Sequence, residues 1–191
     1  MFLTEDAAAR RRCLAPTTHS GPTNKVFDFT HQARAKETMI DELGRLLVNT
    51  STMTPEGVVC FLPSYAYEHI VLERWAVSGV LAQITKRKKV FREPRNSGEV
   101  EAVLQAYTAS SRTGAIIFCV VGAKMSEGLN FSDGLARCVV VVGLPYPDKS
   151  DIELQQKMSF LGHAAGASHV DMSTAIHFLF SRTQSVSFQR C

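Results

Sequence analysis

The sequence predicts an α/β layered domain with a mostly parallel sheet, and three observations predict it. Apolar segments of strand length alternate with segments whose apolar residues recur at helical spacing, the pattern of strands joined by returning helices. Ala115 to Val121 is an apolar, β-branched run without polar alternation, as suits a strand covered on both faces, and Cys138 to Val142 repeats it. The 191 residues, 45% of them hydrophobic, are enough to bury a core within one domain of ordinary size.

The elements follow in order. Residues 1–20 hold Arg10-Arg11-Arg12 and Pro16-Thr17-Thr18 without apolar periodicity, and read as a disordered lead or an uncertain start. Val26-Phe27-Asp28-Phe29 alternates as a short half-buried strand would. Met39, Ile40, Leu43, Leu46 and Leu47 mark an amphipathic helix from about Lys36, ended by the polar stretch Asn49 to Glu56. Gly57 to Leu62 is an apolar strand stopped by Pro63. Tyr67, Ile70, Val71 and Trp75 then line a helix that Gly79 ends. Lys86 to Lys89 leads into a short basic strand, Val90 to Arg95. Asn96 with Glu99 has the form of a capping box, before a helix carrying Val100, Val103, Leu104 and Tyr107. The strand Ala115 to Val121, a polar loop from Gly122 to Gly134 and the strand from Cys138 come next. Ser150 with Glu153 opens a last helix bearing Leu154, Met158 and Leu161. Beyond Gly162 the pattern weakens: Ile176 to Phe180 suits a strand or a buried helix turn, and Ser181 to Cys191 shows no design.

Composition excludes several function classes. There is no apolar run of membrane-spanning length and no secretory h-region, which predicts an intracellular protein. Five widely spaced cysteines without a Cys-x-x-Cys pair support neither a disulfide framework nor a metal site. Cys60, Cys119 and Cys138 read as small core residues. The six histidines show no metal-binding spacing. No G-x-x-x-x-G-K-[ST] phosphate loop, no G-x-G-x-x-G after a strand and no Gly-x-Ser-x-Gly elbow occurs.

What remains is Lys124 to Asp133, which gathers an ammonium, two carboxylates, two hydroxyls and an amide between glycines. In a parallel sheet such a loop would lie at the carboxyl edge, where ligands collect. Lys124, Ser126, Asn130 and the backbone N–H groups have the chemistry to hold phosphate or ribose oxygens. On pattern alone a structural loop serves equally well. The basic run Lys86 to Arg95 reads either as a solvated face or as the lining of a DNA path. Trp75 and Tyr107 are packing residues first.

Phe61-Leu62-Pro63-Ser64-Tyr65, Lys124-Met125-Ser126-Glu127-Gly128-Leu129-Asn130-Phe131 and Val142-Gly143-Leu144-Pro145-Tyr146-Pro147 resemble motif IV, motif V and the segment after it in the XPD-like superfamily 2 iron–sulfur DNA helicases. Ser20-Gly21-Pro22 with Phe27 to Thr30, Lys88 to Pro94 and Leu154 to Met158 look like the chromosome-loss branch, which acts with cohesin. The match runs from about Ser20 to Leu161.

The resemblance implies a RecA-like second motor domain, of P-loop NTPase type, over residues 21–161, and an activity in DNA unwinding for replication, repair or sister-chromatid cohesion. ATP with magnesium would sit between it and a first motor domain that supplies the phosphate loop. The family's iron–sulfur cluster is not held by this chain. Ser126, Glu127, Gly128 and Asn130 would sense nucleotide. Ser64, Tyr65 and Lys124 would approach single-stranded DNA, with Lys88 and Lys89 adding phosphate contacts. The implied partners are DNA, the first motor domain and cohesion or replication proteins, with no membrane; the implied location is nuclear. One departure stands out. Motif VI, Gln-x-x-Gly-Arg-x-x-Arg, would follow in the family and supply arginines to the γ-phosphate. It does not occur in 162–191, and Arg182 and Arg190 stand in unrelated surroundings. That tail reads as divergent, as in a truncated, alternatively spliced or mispredicted product, and the isolated chain is expected to lack ATPase activity.

Overall fold

The computed structural model describes residues 17–125 and 134–143 and the backbone of a strand at 186–189. Its sheet has the order β1-β6-β5-β2-β4-β3. Four strands form the parallel part: β2 (Gly57–Leu62), β3 (Lys89–Arg92), β4 (Ala115–Val120) and β5 (Cys138–Val142). β6 (Val186–Gln189) runs antiparallel beside β5, and the two-residue β1 (Thr17–Thr18) pairs antiparallel with β6. Thus part of the stretch in which the sequence shows no design is a strand, and Thr17 and Thr18 of the lead join the same sheet.

Strand alternation sends successive side chains to opposite faces. Val58, Cys60, Leu62, Ile116 and Phe118 pack against three helices on one face: α1 (Glu37–Met53), α2 (Tyr65–Ser78) and α3 (Val80–Thr85). Val59, Ala115, Ile117 and Cys119 meet α4 (Val100–Ser111) on the other. Trp75 is fully buried, its indole N–H donating to the Ile40 carbonyl at 2.8 Å, and Tyr107 bonds the Val58 and Leu135 carbonyls. Both are packing residues. Gly57 is required by close approach, since a Cβ there would lie 2.0 Å from the Leu135 carbonyl oxygen.

Several local expectations change. Val26 to Phe29 makes only a bridge, Ser20 to Val26; Phe27 and Phe29 are buried with stacked rings while Asp28 closes a turn by accepting the Thr30 N–H. α1 runs on to Met53, because the Thr50 and Thr52 hydroxyls donate back to the Leu46 and Val48 carbonyls and so fit into the helix. Gly79, at φ +78°, ends α2 as expected, but α3 follows at once on only two buried residues, Val80 and Ile84. β3 stops at Arg92, two residues before Pro94. Asn96 and Glu99 open a short 3-10 turn ahead of α4.

Candidate functional site

The parallel strands all end on one side, at Leu62, Arg92, Val120 and Val142, and the functional residues divide according to whether they reach that edge. Pro63 stops β2. Ser64 then caps α2, its hydroxyl oxygen accepting the Tyr67 N–H at 3.2 Å. The first N–H groups of α2 therefore open toward the edge, an arrangement that favours anions. Tyr65 follows, half-buried, with the Arg95 guanidinium 5.4 Å above its ring centroid. Burial pushes the Tyr65 phenol up, the Glu93 and Glu68 carboxylates push it further, and Arg95 opposes them.

The end of β3 ties this corner together. Arg92 forks onto the buried Glu68 carboxylate of α2 at 2.7 and 2.8 Å. Glu93 is 5% exposed, and its two oxygens accept the N–H groups of Val120 and Met125, each at 2.8 Å. Met125 is fully buried in the α4-side core, and its neighbour Lys124 is exposed. Ser64, Tyr65 and Lys124 thus come to one edge, joined by Arg95 and organised from below by Glu93. Sequence reasoning missed Glu93 as a site residue. The signal that would have found it is a single carboxylate at a strand end, between a basic run and a proline.

The two lysines placed on the DNA path part company. Lys88 is 3% exposed; its ammonium donates to the Thr54 and Glu56 carbonyls at 2.8 and 2.6 Å, and burial pulls its pKa below the ordinary lysine value. It faces the interior, its ammonium engaged by the two carbonyls rather than offered to solvent. Lys89 is exposed, its ammonium 5.3 Å from the Phe91 ring centroid, but it pairs with Ala115 at the amino end of the sheet. Three strand steps, roughly 10 Å, separate it from the edge that holds Tyr65.

The loop after β4 also differs from expectation. It leaves from the carboxyl edge at Gly122 to Met125, yet Gly134 accepts the Gly57 N–H at 3.1 Å, at the start of β2. Its two ends therefore lie at opposite ends of the sheet, as a crossover between parallel strands demands. Ser126, Glu127, Gly128 and Asn130 fall outside the described residues. Among the described residues no cluster of three His, Cys, Asp or Glu suits a metal ion, and no helix is long and apolar enough to cross a membrane.

The α2 N-terminus and the Lys124 and Arg95 cations give the edge donors that suit an anionic ligand. A family model described as the helicase C-terminal domain matches residues 47–180. The ATP-dependent DNA helicase DDX11 of zebrafish is 44% identical over 78% of this chain and 18% of its own length. Its mouse counterpart is 48% identical over 74% and 17%. The ATP-dependent DNA helicase CHL1 of the yeast Scheffersomyces stipitis is 41% identical over 82% and 19%. The chain therefore spans less than a fifth of these curated relatives.

Proposed function

The chain belongs to the helicase C-terminal domain family, in the chromosome-loss branch of the XPD-like superfamily 2 helicases, and from this premise we propose that it is the second motor half of an ATP-dependent DNA helicase. The observation that carries the reading is the convergence of Ser64, Tyr65, Arg95 and Lys124 on one carboxyl edge of a parallel sheet. The α2 N-terminus and the Lys124 ammonium offer donors to phosphates, and the Tyr65 ring offers a face to a base.

In this reading single-stranded DNA runs along that edge, and Ser126, Glu127, Gly128 and Asn130 face nucleotide shared with a first motor domain. ATP with magnesium, bound between the two domains, supplies the phosphoryl chemistry. This chain's part is to hold the strand and to complete one wall of the nucleotide site. The donors described at the edge suit phosphate groups. The same reading locates the protein in the nucleus, acting in replication, repair or cohesion, with the iron–sulfur cluster carried outside this chain. Titration of a labelled single-stranded oligonucleotide tests the edge: binding should weaken with salt and with Tyr65→Ala, and an affinity insensitive to both refutes it.

A second reading, a nucleic-acid- or protein-binding remnant without motor function, is favoured by one sequence observation. Neither a phosphate loop nor the Gln-x-x-Gly-Arg-x-x-Arg pattern occurs in the chain. The two readings separate on whether a first motor domain restores hydrolysis.

A further inference from the structure

Two N–H groups five residues apart, those of Val120 at the end of β4 and Met125 in the loop beyond it, converge on the two oxygens of one buried carboxylate. Burying a charge is costly unless strong hydrogen bonds offset it, and a strand end that merely needed satisfying has water and backbone carbonyls to turn to. Two converging donors on separate oxygens need a bidentate acceptor. A carboxylate meets that demand; an amide of the same shape offers a single acceptor oxygen and would set its NH2 group against the second N–H.

What Glu93 holds in place gives this arrangement its meaning. The two clamped amides bracket Gly122 to Lys124, so the bend that carries the Lys124 ammonium to the surface is fixed at both ends. On the other side, Glu93 is joined through Pro94 to Arg95, which lies over the Tyr65 ring. The proline ring fixes φ and so stiffens the connection between them. One buried carboxylate is thus the common reference for the exposed cation Lys124 and for the Arg95–Tyr65 stack.

We propose that Glu93 is a positioning residue for single-stranded DNA, setting the spacing between the Lys124 ammonium and the Arg95–Tyr65 stack so that both engage one strand. This rests on the reading of the carboxyl edge as DNA-facing. Glu93 itself touches no ligand and acts through the residues it holds.

The test is a double-mutant cycle on the full chain, read by fluorescence anisotropy of a labelled oligothymidine of about 15 nucleotides. Glu93→Gln and Lys124→Gln should each weaken binding about fivefold, and the double variant should be no weaker than the worse single one, because Lys124 contributes only where Glu93 positions it. Glu93→Asp, which keeps the charge and reaches one N–H, should fall between wild type and Glu93→Gln, and it carries the same cycle should the glutamine variant fail to fold. Amide exchange should quicken at Val120 and Met125 while β2 stays protected. Independent losses, multiplying to about 25-fold, or a Glu93→Gln affinity equal to wild type would overturn the positioning role alone. Absence of binding by the wild-type chain would overturn the DNA reading and the positioning role with it.

Discussion

Lys88 donates to the backbone carbonyl of Glu56 at 2.6 Å, so a lysine in the middle of a basic run fastens the start of β2 from inside the protein. The same ammonium holds the Thr54 carbonyl, at the end of α1. Lys88→Ala would leave both carbonyls without this donor, at a cost of about 1.5–3 kcal/mol, the range for hydrogen bonds to a charged group. Urea unfolding should show that loss, while the folded fraction binds single-stranded DNA as wild type does. A weakened affinity at unchanged stability would return Lys88 to the DNA path.

Ser64 has two roles that a pair of substitutions separates. Ser64→Ala removes the α2 cap and should cost about 1 kcal/mol. Ser64→Asp caps as well as serine, so stability should be kept, but it puts a negative charge on the proposed phosphate path. Thermal melts and DNA titrations on both variants check this. Aspartate that binds DNA as tightly as serine would remove Ser64 from the interface.

Position in the sheet predicts unequal effects for the two exposed lysines. Lys124→Glu, at the carboxyl edge, should weaken binding more than Lys89→Glu and should flatten the plot of log affinity against log salt by about 0.7 per lost single-strand contact. The slopes are measured by repeating the titration at several salt concentrations. Equal slopes for the two variants would contradict the assignment of the track to that edge.

Acid should loosen the helix layer through Asp41 and Glu42. The Arg74 hydrogen bond holds the Asp41 carboxyl below its ordinary value. For Glu42, burial pushes upward but is outweighed by bonds from Thr23 and Arg45, and the net shift is downward. Both groups bind protons more weakly in the folded chain than in the unfolded one. Their contribution is complete above the ordinary values of 3.8 and 4.5 and is lost as pH falls through them toward the folded ones. Melting temperatures between neutral pH and about pH 3 should drop less steeply in an Asp41→Asn, Glu42→Gln variant; a parallel drop would refute the assignment.

The parallel strands were legible because strands buried on both faces leave continuous apolar runs, and Gly57 to Leu62, Ala115 to Val120 and Cys138 to Val142 are such runs. Elements whose signal is short or borrowed from elsewhere were not. α3 rests on Val80 and Ile84 alone, the end of α1 on hydroxyls that bond back into the helix, and β6 on pairing with a strand far away in sequence. At the site, Ser64 and Tyr65 were singled out by the resemblance of Phe61 to Tyr65 to a helicase motif, and their place after β2 brings them to the carboxyl edge. Burial was not readable for Lys88, because a basic run gives no sign of which member turns inward. Glu93 escaped for a related reason: its place at a strand end, between a basic run and a proline, marks it as a candidate, but the two backbone N–H groups it accepts lie 27 and 32 residues away and the sequence does not name them.

The central claim, that this chain is one half of a motor, is tested most directly by DNA-stimulated ATP hydrolysis. The first motor domain of a DDX11 relative would be mixed with this chain carrying that relative's motif VI segment after Leu161. The account predicts no hydrolysis from the chain alone and hydrolysis stimulated by single-stranded DNA in the mixture, reduced by Tyr65→Ala. A mixture that binds DNA, with both parts folded, yet hydrolyses no ATP would contradict it and leave a binding module in its place.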